Sequence, residues 1–307
     1  MRNTIVNLIH DLARENANVY FLTGDLGYSV INNFQKELPD RCLNMGIAEQ
    51  NMMGVAAGLA LEGKKVFVYS IVPFVTMRCM EQVRTDIALQ NLDVTIIGVG
   101  GGFAYGILGP THHAIEEVAM LRAIPRMKIL APSDPVSAKI LGKQALELGG
   151  PMYIRLNRGG EPALYQTPPA MEFGKGHVMK PGTVVTILSN GAITQVALQA
   201  AELLGQEGIS TEVVDMATIK PLDEELIKQR LNSRKIIVTL EEHNIIGGFG
   251  SAVAEVVAEH PKKARFRRIG IRDIYSTVFG NQSFMRELNN LSPAGVCKII
   301  KGIKAQL

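Results

Sequence analysis

Val184-Val185-Thr186-Ile187-Leu188 is apolar on consecutive residues rather than on alternate ones. A strand of that pattern is buried on both faces, as in a parallel sheet covered by helices on either side. Similar runs recur at Thr211 to Asp215, Lys235 to Leu240 and Arg265 to Gly270, with helical patterns near Thr194 to Gln206, Asp223 to Leu231 and Gly250 to His260. The earlier half keeps the same rhythm. Runs at Val19 to Thr23, Lys65 to Val72, Val94 to Val99, Met127 to Ala131 and Met152 to Leu156 alternate with helical patterns at Thr4 to Glu15, Ile47 to Glu62, Val75 to Leu89 and Pro135 to Leu148. This alternation predicts an α/β protein of two doubly wound domains, the second smaller.

Between the halves, Gly159, Gly160, Pro162, Pro168, Pro169, Gly174, Gly176, Pro181 and Gly182 form the punctuation of a linker. The expected division is residues 1–165, a linker at 166–182, and residues 183–307. At 307 residues the chain has room for two domains of about 150 residues each. Its 47% hydrophobic and 20% charged composition excludes disordered and fibrous classes. Cys42, Cys79 and Cys297 are odd in number and far apart, which argues against a disulfide framework or a clustered metal site and fits a cytoplasmic protein. The first fourteen residues carry Arg2, His10, Asp11 and Arg14 and lack the apolar core of a signal peptide, and the Gly-rich apolar run Val94 to Leu108 is too short to span a membrane. A net charge of +3 makes no case for nucleic acid. The basic stretch Lys262, Lys263, Arg265, Arg267, Arg268, Arg272 is nearly free of interleaved aromatics and reads as a solvated face.

The helix Ile47 to Glu62 carries Ala48, Gly54, Ala56, Ala57, Gly58 and Ala60, which lower its intrinsic stability unless something approaches closely. It is expected to pack tightly against another backbone. Glu49 sits in its first turn, within Asn44-Met45-Gly46-Ile47-Ala48-Glu49-Gln50-Asn51. A carboxyl there serves either the helix end, as cap or dipole partner, or, in apolar surroundings, a ligand nitrogen with which it shares a proton.

Gly46-Ile47-Ala48-Glu49-Gln50-Asn51-Met52 resembles the signature of the pyrimidine-binding domain of transketolase-type thiamine diphosphate enzymes. Phe67 to Val83, Gly106 to His112, Leu121 to Pro125, Pro151 to Gly159, Val214 to Leu222 and Glu241 to Ser251 follow in the family's order over nearly the whole chain. The resemblance implies a pyrimidine-binding thiamine-diphosphate fold followed by a smaller transketolase C-terminal-like α/β domain. It implies that Glu49 hydrogen-bonds the aminopyrimidine nitrogen of thiamine diphosphate, that Phe74 stacks on that ring, and that Arg78 and Asp25 line the cofactor. Ser29, Arg2 and Arg158 match substrate-phosphate contacts, and His112 of Gly109-Pro110-Thr111-His112 matches the histidine beside the reacting carbonyl; Arg155 and Arg158 both stand at the close of a strand, where one of them is expected to face the substrate. His113 reads as a helix-start residue, and His243 is left without a role.

Two positions depart from that pattern. Transketolases usually carry an Asp where this chain has Leu108 and a His where it has Gly100, so two polar sugar contacts are missing. The Gly-Asp-Gly motif and following Asn that hold Mg²⁺ and the diphosphate are also missing, and no metal ligands are assigned to this chain. The resemblance therefore implies a split enzyme: this chain, an amino-terminal subunit that binds Mg²⁺ and diphosphate, and a heterotetramer with sites at the interface. Its expected reaction moves a two-carbon ketol unit from a ketose (phosphate) to an aldehyde. A pyruvate-donor synthase like deoxyxylulose phosphate synthase, acting on a 2-oxoacid, and a 2-oxoacid dehydrogenase β chain share the glutamate and the domain order.

Overall fold

The computed structural model describes residues 1–262 and 264–306; Lys263 of the basic stretch and Leu307 lie outside the described residues. The strands are β1 (Val19–Thr23), β2 (Cys42–Asn44), β3 (Lys65–Ile71), β4 (Val94–Val99), β5 (Lys128–Leu130), β6 (Met152–Leu156), β7 (His177–Lys180), β8 (Val185–Ser189), β9 (Thr211–Asp215), β10 (Thr218–Lys220), β11 (Ile236–Asn244) and β12 (Arg265–Ile271). They form a seven-stranded sheet, β10-β5-β6-β4-β3-β1-β2, and a five-stranded sheet, β12-β11-β8-β9-β7. Each is parallel except for one edge pair, β10 with β5 and β7 with β9.

The consecutive apolar runs have the burial they forecast: every residue of β4, β6 and β8 is buried. The helix Arg2–Glu15 turns Ile5, Val6, Ile9 and Ala13 inward and packs on the helix Pro135–Leu148, where a Cβ on Gly142 would stand 2.6 Å from Ile5 Cδ1. Pro135–Leu148 begins where the sequence places it because Asp134 and Ser137 form a capping box and Pro135 occupies the first turn.

Three expectations change. The segment expected as one helix from Val75 to Leu89 is a chain of short turns, Val72–Val75, Met77–Cys79, Met80–Gln82 and a π-helical Val83–Ala88. Thr76 departs from regular helical values at φ −114 and ψ −75, and its hydroxyl donates to the Val72 carbonyl at 2.6 Å. Second, β7 lies inside the stretch expected as linker, and β10 leaves the second half to extend the first sheet. Edge strands of three or four residues are too short to show a period. Third, the helix Glu49–Leu61 buries Met52, Met53, Ala56 and Ala57, but a Cβ at Gly54 or Gly58 would have nothing within 4 Å and Ile47 is 80% exposed. Gly54 and Gly58 face no other backbone among the described residues.

Buried charge joins the sheets. Arg155 of β6 donates Nε to Glu117 Oε1 at 2.5 Å and Nη2 to the carbonyls of Ala114 at 2.9 Å and Glu242 at 3.0 Å. The Glu242 carboxylate, on β11, accepts from Phe103 N at 2.8 Å, Arg286 Nε at 2.8 Å and Gln282 Nε2 at 3.0 Å. Breaking one partner of such a pair leaves an uncompensated buried charge, whereas replacing both with apolar groups does not. Arg155→Met should therefore cost about 3–5 kcal/mol in urea unfolding, and Arg155→Met/Glu117→Leu should recover most of it. A single-variant loss below about 1 kcal/mol would contradict the assignment.

Candidate active site

The strands β1, β3, β4 and β6 are contiguous in the first sheet, and their carboxyl ends open on one side, where ligands gather in parallel sheets. Asp25 and Ser29 follow β1, Ser70 closes β3 just before Phe74 and Arg78, Tyr105 and His112 follow β4, and Arg158 follows β6.

Glu49 is 1% exposed. Its side chain makes no capping bond to the helix it begins; Oε1 accepts from Ser70 Oγ at 3.1 Å and Oε2 from Arg78 Nη1 at 2.7 Å. The sequence leaves cap and ligand partner open, and the geometry removes the cap. Gly24 closes in from the end of β1, where a Cβ would stand 3.2 Å from Glu49 Oε1. The result is a carboxyl out of water, fixed at both oxygens, beside bare backbone.

From there the other expected residues run in contact. The Arg78 guanidinium lies 4.4 Å from the centre of the half-buried Phe74 ring, and Phe74 meets His112 edge-on with centroids 5.2 Å apart. His112 Nδ1 pairs with Thr111 Oγ1 at 3.0 Å. Burial, aided by the neighbouring His113, holds the His112 imidazole below its ordinary value of 6.5. Tyr105 stands 6.3 Å beyond His112, with Arg158 6.0 Å from its ring. Arg2, at the start of the first helix, acts electrostatically on Tyr69 and Tyr105.

Asp25 and Ser29 take left-handed conformations, φ +51 and +69, in an exposed loop. Asp25 is tied to Asn44, its N–H donating to Oδ1 at 3.0 Å and its Oδ1 accepting from Nδ2 at 2.9 Å. Non-glycine residues held at positive φ concentrate at ligand sites.

Arg155 is a correction. Expected among the substrate contacts, it is enclosed in the protein and its bonds go to Glu117, Ala114 and Glu242. His113 is also corrected: the next helix starts at Glu117, and His113 is buried with Nε2 3.1 Å from the Gly106 carbonyl. His243 lies in the junction between the sheets, 4.0 Å from Glu117. Sequence reasoning missed Ser70, a polar residue closing an apolar strand, and Tyr105, an aromatic among glycines. Both anomalies were visible.

The chain matches the family described as transketolase, pyrimidine binding domain, over residues 1–161, and transketolase, C-terminal domain, over residues 174–289. It is 38% identical to one of the apulose-4-phosphate transketolase subunits of Phocaeicola vulgatus, covering 97% of this chain and 95% of that one. It is 35% identical to the 6-deoxy-6-sulfo-D-fructose transketolase subunit SqwH of a Clostridium species, covering 94% and 89%. A solved structure described as a split gene transketolase, inactive β4 tetramer, superposes with a TM-score of 0.87 at 37% identity, covering 98% of this chain and 97% of that one.

The burial of His112 makes a direct prediction: in an NMR pH titration its imidazole titrates below 6.5, and a value above that contradicts the site's geometry.

Proposed function

The chain belongs to the transketolase family, as a half carrying the pyrimidine-binding and C-terminal domains, and we propose from that premise that it is one subunit of a split, thiamine diphosphate-dependent enzyme moving a two-carbon ketol unit from a ketose or ketose phosphate to an aldehyde. The observation that carries this reading is Glu49, buried at the carboxyl ends of the strands and held by Ser70 and Arg78.

The residues present fit the pyrimidine half of the cofactor. Glu49 offers a desolvated carboxyl for a ring nitrogen, and Phe74 offers a ring of which Arg78 now covers one face. When bound, the cofactor supplies the electron sink for breaking and making the bond beside a ketone. Glu49 holds and shares the proton at the ring nitrogen, and Ser70 and Arg78 keep the carboxyl aimed. Asp25, fixed by Asn44, and Ser29 border the mouth. Neutral His112 presents Nε2 to the carbonyl oxygen of substrate, where it stabilises or transfers a proton. Arg2 and Arg158 hold an anionic substrate end.

The diphosphate half does not fit this chain. Among the described residues no group of three or more His, Cys, Asp or Glu is placed to hold a metal ion, so we assign Mg²⁺ and diphosphate to an amino-terminal partner subunit, joined in a heterotetramer. The open Gly54 and Gly58 face of the helix Glu49–Leu61 supports an interface there. The three cysteines are free and buried, in keeping with a cytoplasmic enzyme, and no helix among the described residues is long and apolar enough to cross a membrane. The near full-length match to transketolase subunits favours ketol transfer over a pyruvate-donor reaction.

Glu49→Gln preserves shape but removes the proton exchange. In the complex reconstituted with partner, thiamine diphosphate and Mg²⁺, ferricyanide-coupled oxidation of a ketose phosphate should fall by about a hundredfold or more, with an unchanged melting temperature. A variant retaining more than about a tenth of the rate would overturn the role of Glu49.

A further inference from the structure

The basic stretch of residues 262–272 contains no acidic residue, and no group of the site described above comes from it. Most of it forms β12, the edge strand of the second sheet, which pairs on one side only, with β11. Arg265 N donates to the Lys235 carbonyl at 2.9 Å. In a parallel ladder alternate residues face the same neighbour, so Arg265, Arg267 and Ile269 turn their backbone toward β11, and Phe266, Arg268 and Gly270 turn theirs outward. Among the described residues, the N–H and C=O groups of those three have no backbone partner on the open side.

The open edge borders a cavity of about 390 Å³ whose lining includes Ile245, Phe266, Arg267, Arg272 and Asn290. The two faces of the strand differ. Phe266 and Gly270 share one face with Ile245, whose Cγ2 would stand 3.0 Å from a Cβ on Gly270, and this face is apolar and half-buried. Arg268 is already held there by the Ile245 carbonyl at 2.6 Å and Ser251 Oγ at 2.9 Å. The other face presents Arg267, and Arg272 follows the strand; both are exposed, and among the described residues neither guanidinium has an acceptor.

The hydrogen-bonding groups of the edge decide what can seat on it. A nucleic acid backbone or an inorganic anion brings acceptors for the N–H groups and guanidiniums but leaves the three outward carbonyls without donors. An extended peptide brings donors and acceptors alternately, at the strand's own spacing. A second copy of β12 would do the same but would set arginine against arginine, which opposes pairing. We infer that the open edge of β12 docks an extended acidic segment of a partner protein by strand addition, with carboxylates reaching Arg267 and Arg272 and alternate apolar side chains lying against Phe266 and Ile245.

The test titrates the full chain into a fluorescent heptapeptide that alternates glutamate with valine. Anisotropy should show saturable one-to-one binding, weakened about tenfold or more by Arg267→Glu and by Arg272→Glu. The same peptide N-methylated throughout keeps its charges but loses its N–H donors, and should bind about tenfold more weakly. In hydrogen exchange followed by NMR, the amides of Phe266, Arg268 and Gly270 should slow when the peptide is added. No saturable binding, or equal binding by the N-methylated peptide, would overturn the inference. So would tighter binding of an oligothymidylate of equal charge, which assigns the surface to nucleic acid, or protection of those amides in a dimer without peptide, which assigns it to a second copy.

Discussion

A guanidinium buried between two sheets must find acceptors inside the protein, and Arg155 finds them in Glu117 and in the carbonyls of Ala114 and Glu242. Those acceptors belong to the segment after β4 and to β11, so satisfying one cation fixes the two halves of the chain against each other. The glycine run after β4 is shaped by the same requirement. A Cβ on Gly101 would stand 2.8 Å from Arg155 Cζ, and one on Gly102 would stand 2.5 Å from Glu242 Cγ. The segment that carries Tyr105 and His112 thus passes so close to the buried charges that side chains are excluded, and its course is set by them. Desolvating these charges is costly; what they contribute is a fixed path for the loop that borders the site.

At the other end of that site the logic is local. Ser70 and Arg78 come from β3 and the broken turns after it, and they hold Glu49 through both oxygens. The break at Thr76 that ends the turn Val72–Val75 lies between Phe74 and Arg78, two residues that an unbroken helix would place one turn apart. Arg78 both pairs with Glu49 and covers Phe74, so the groups assigned to the cofactor form one contact cluster. On the proposed reading this chain supplies the pyrimidine and carbonyl side of a reaction centre. The face of the helix Glu49–Leu61 bearing Gly54 and Gly58 is left open, which suits a half that works against another subunit.

Much of the fold was legible because long parallel strands buried on both faces leave an unambiguous pattern; β1, β4, β6 and β9 fall on the residues their apolar runs indicate. β7 and β10 were not, since a three- or four-residue edge strand is defined by its neighbour rather than by its own sequence. Residues of one type proved separable only in three dimensions. Arg155 and Arg158 close the same strand segment, but Arg155 enters the junction between the sheets and Arg158 reaches the open side. The adjacent His112 and His113 divide likewise, one toward the site and one into the core. Glu49, Phe74 and His112 were picked out by motif, while Ser70 and Tyr105 needed coordinates to show what they touch. The absence of a polar side chain at Gly100 first registers as a lost sugar contact; the structure shows an aromatic ring taking up that space.

In the proposed enzyme the carboxyl that activates the cofactor and the ligands that hold its diphosphate reside on different polypeptides. Calorimetric titration of thiamine diphosphate and Mg²⁺ into this chain alone, into the amino-terminal partner alone, and into their complex tests it directly. Tight, stoichiometric binding is expected only to the complex. Binding to this chain alone as tight as to the complex would contradict it.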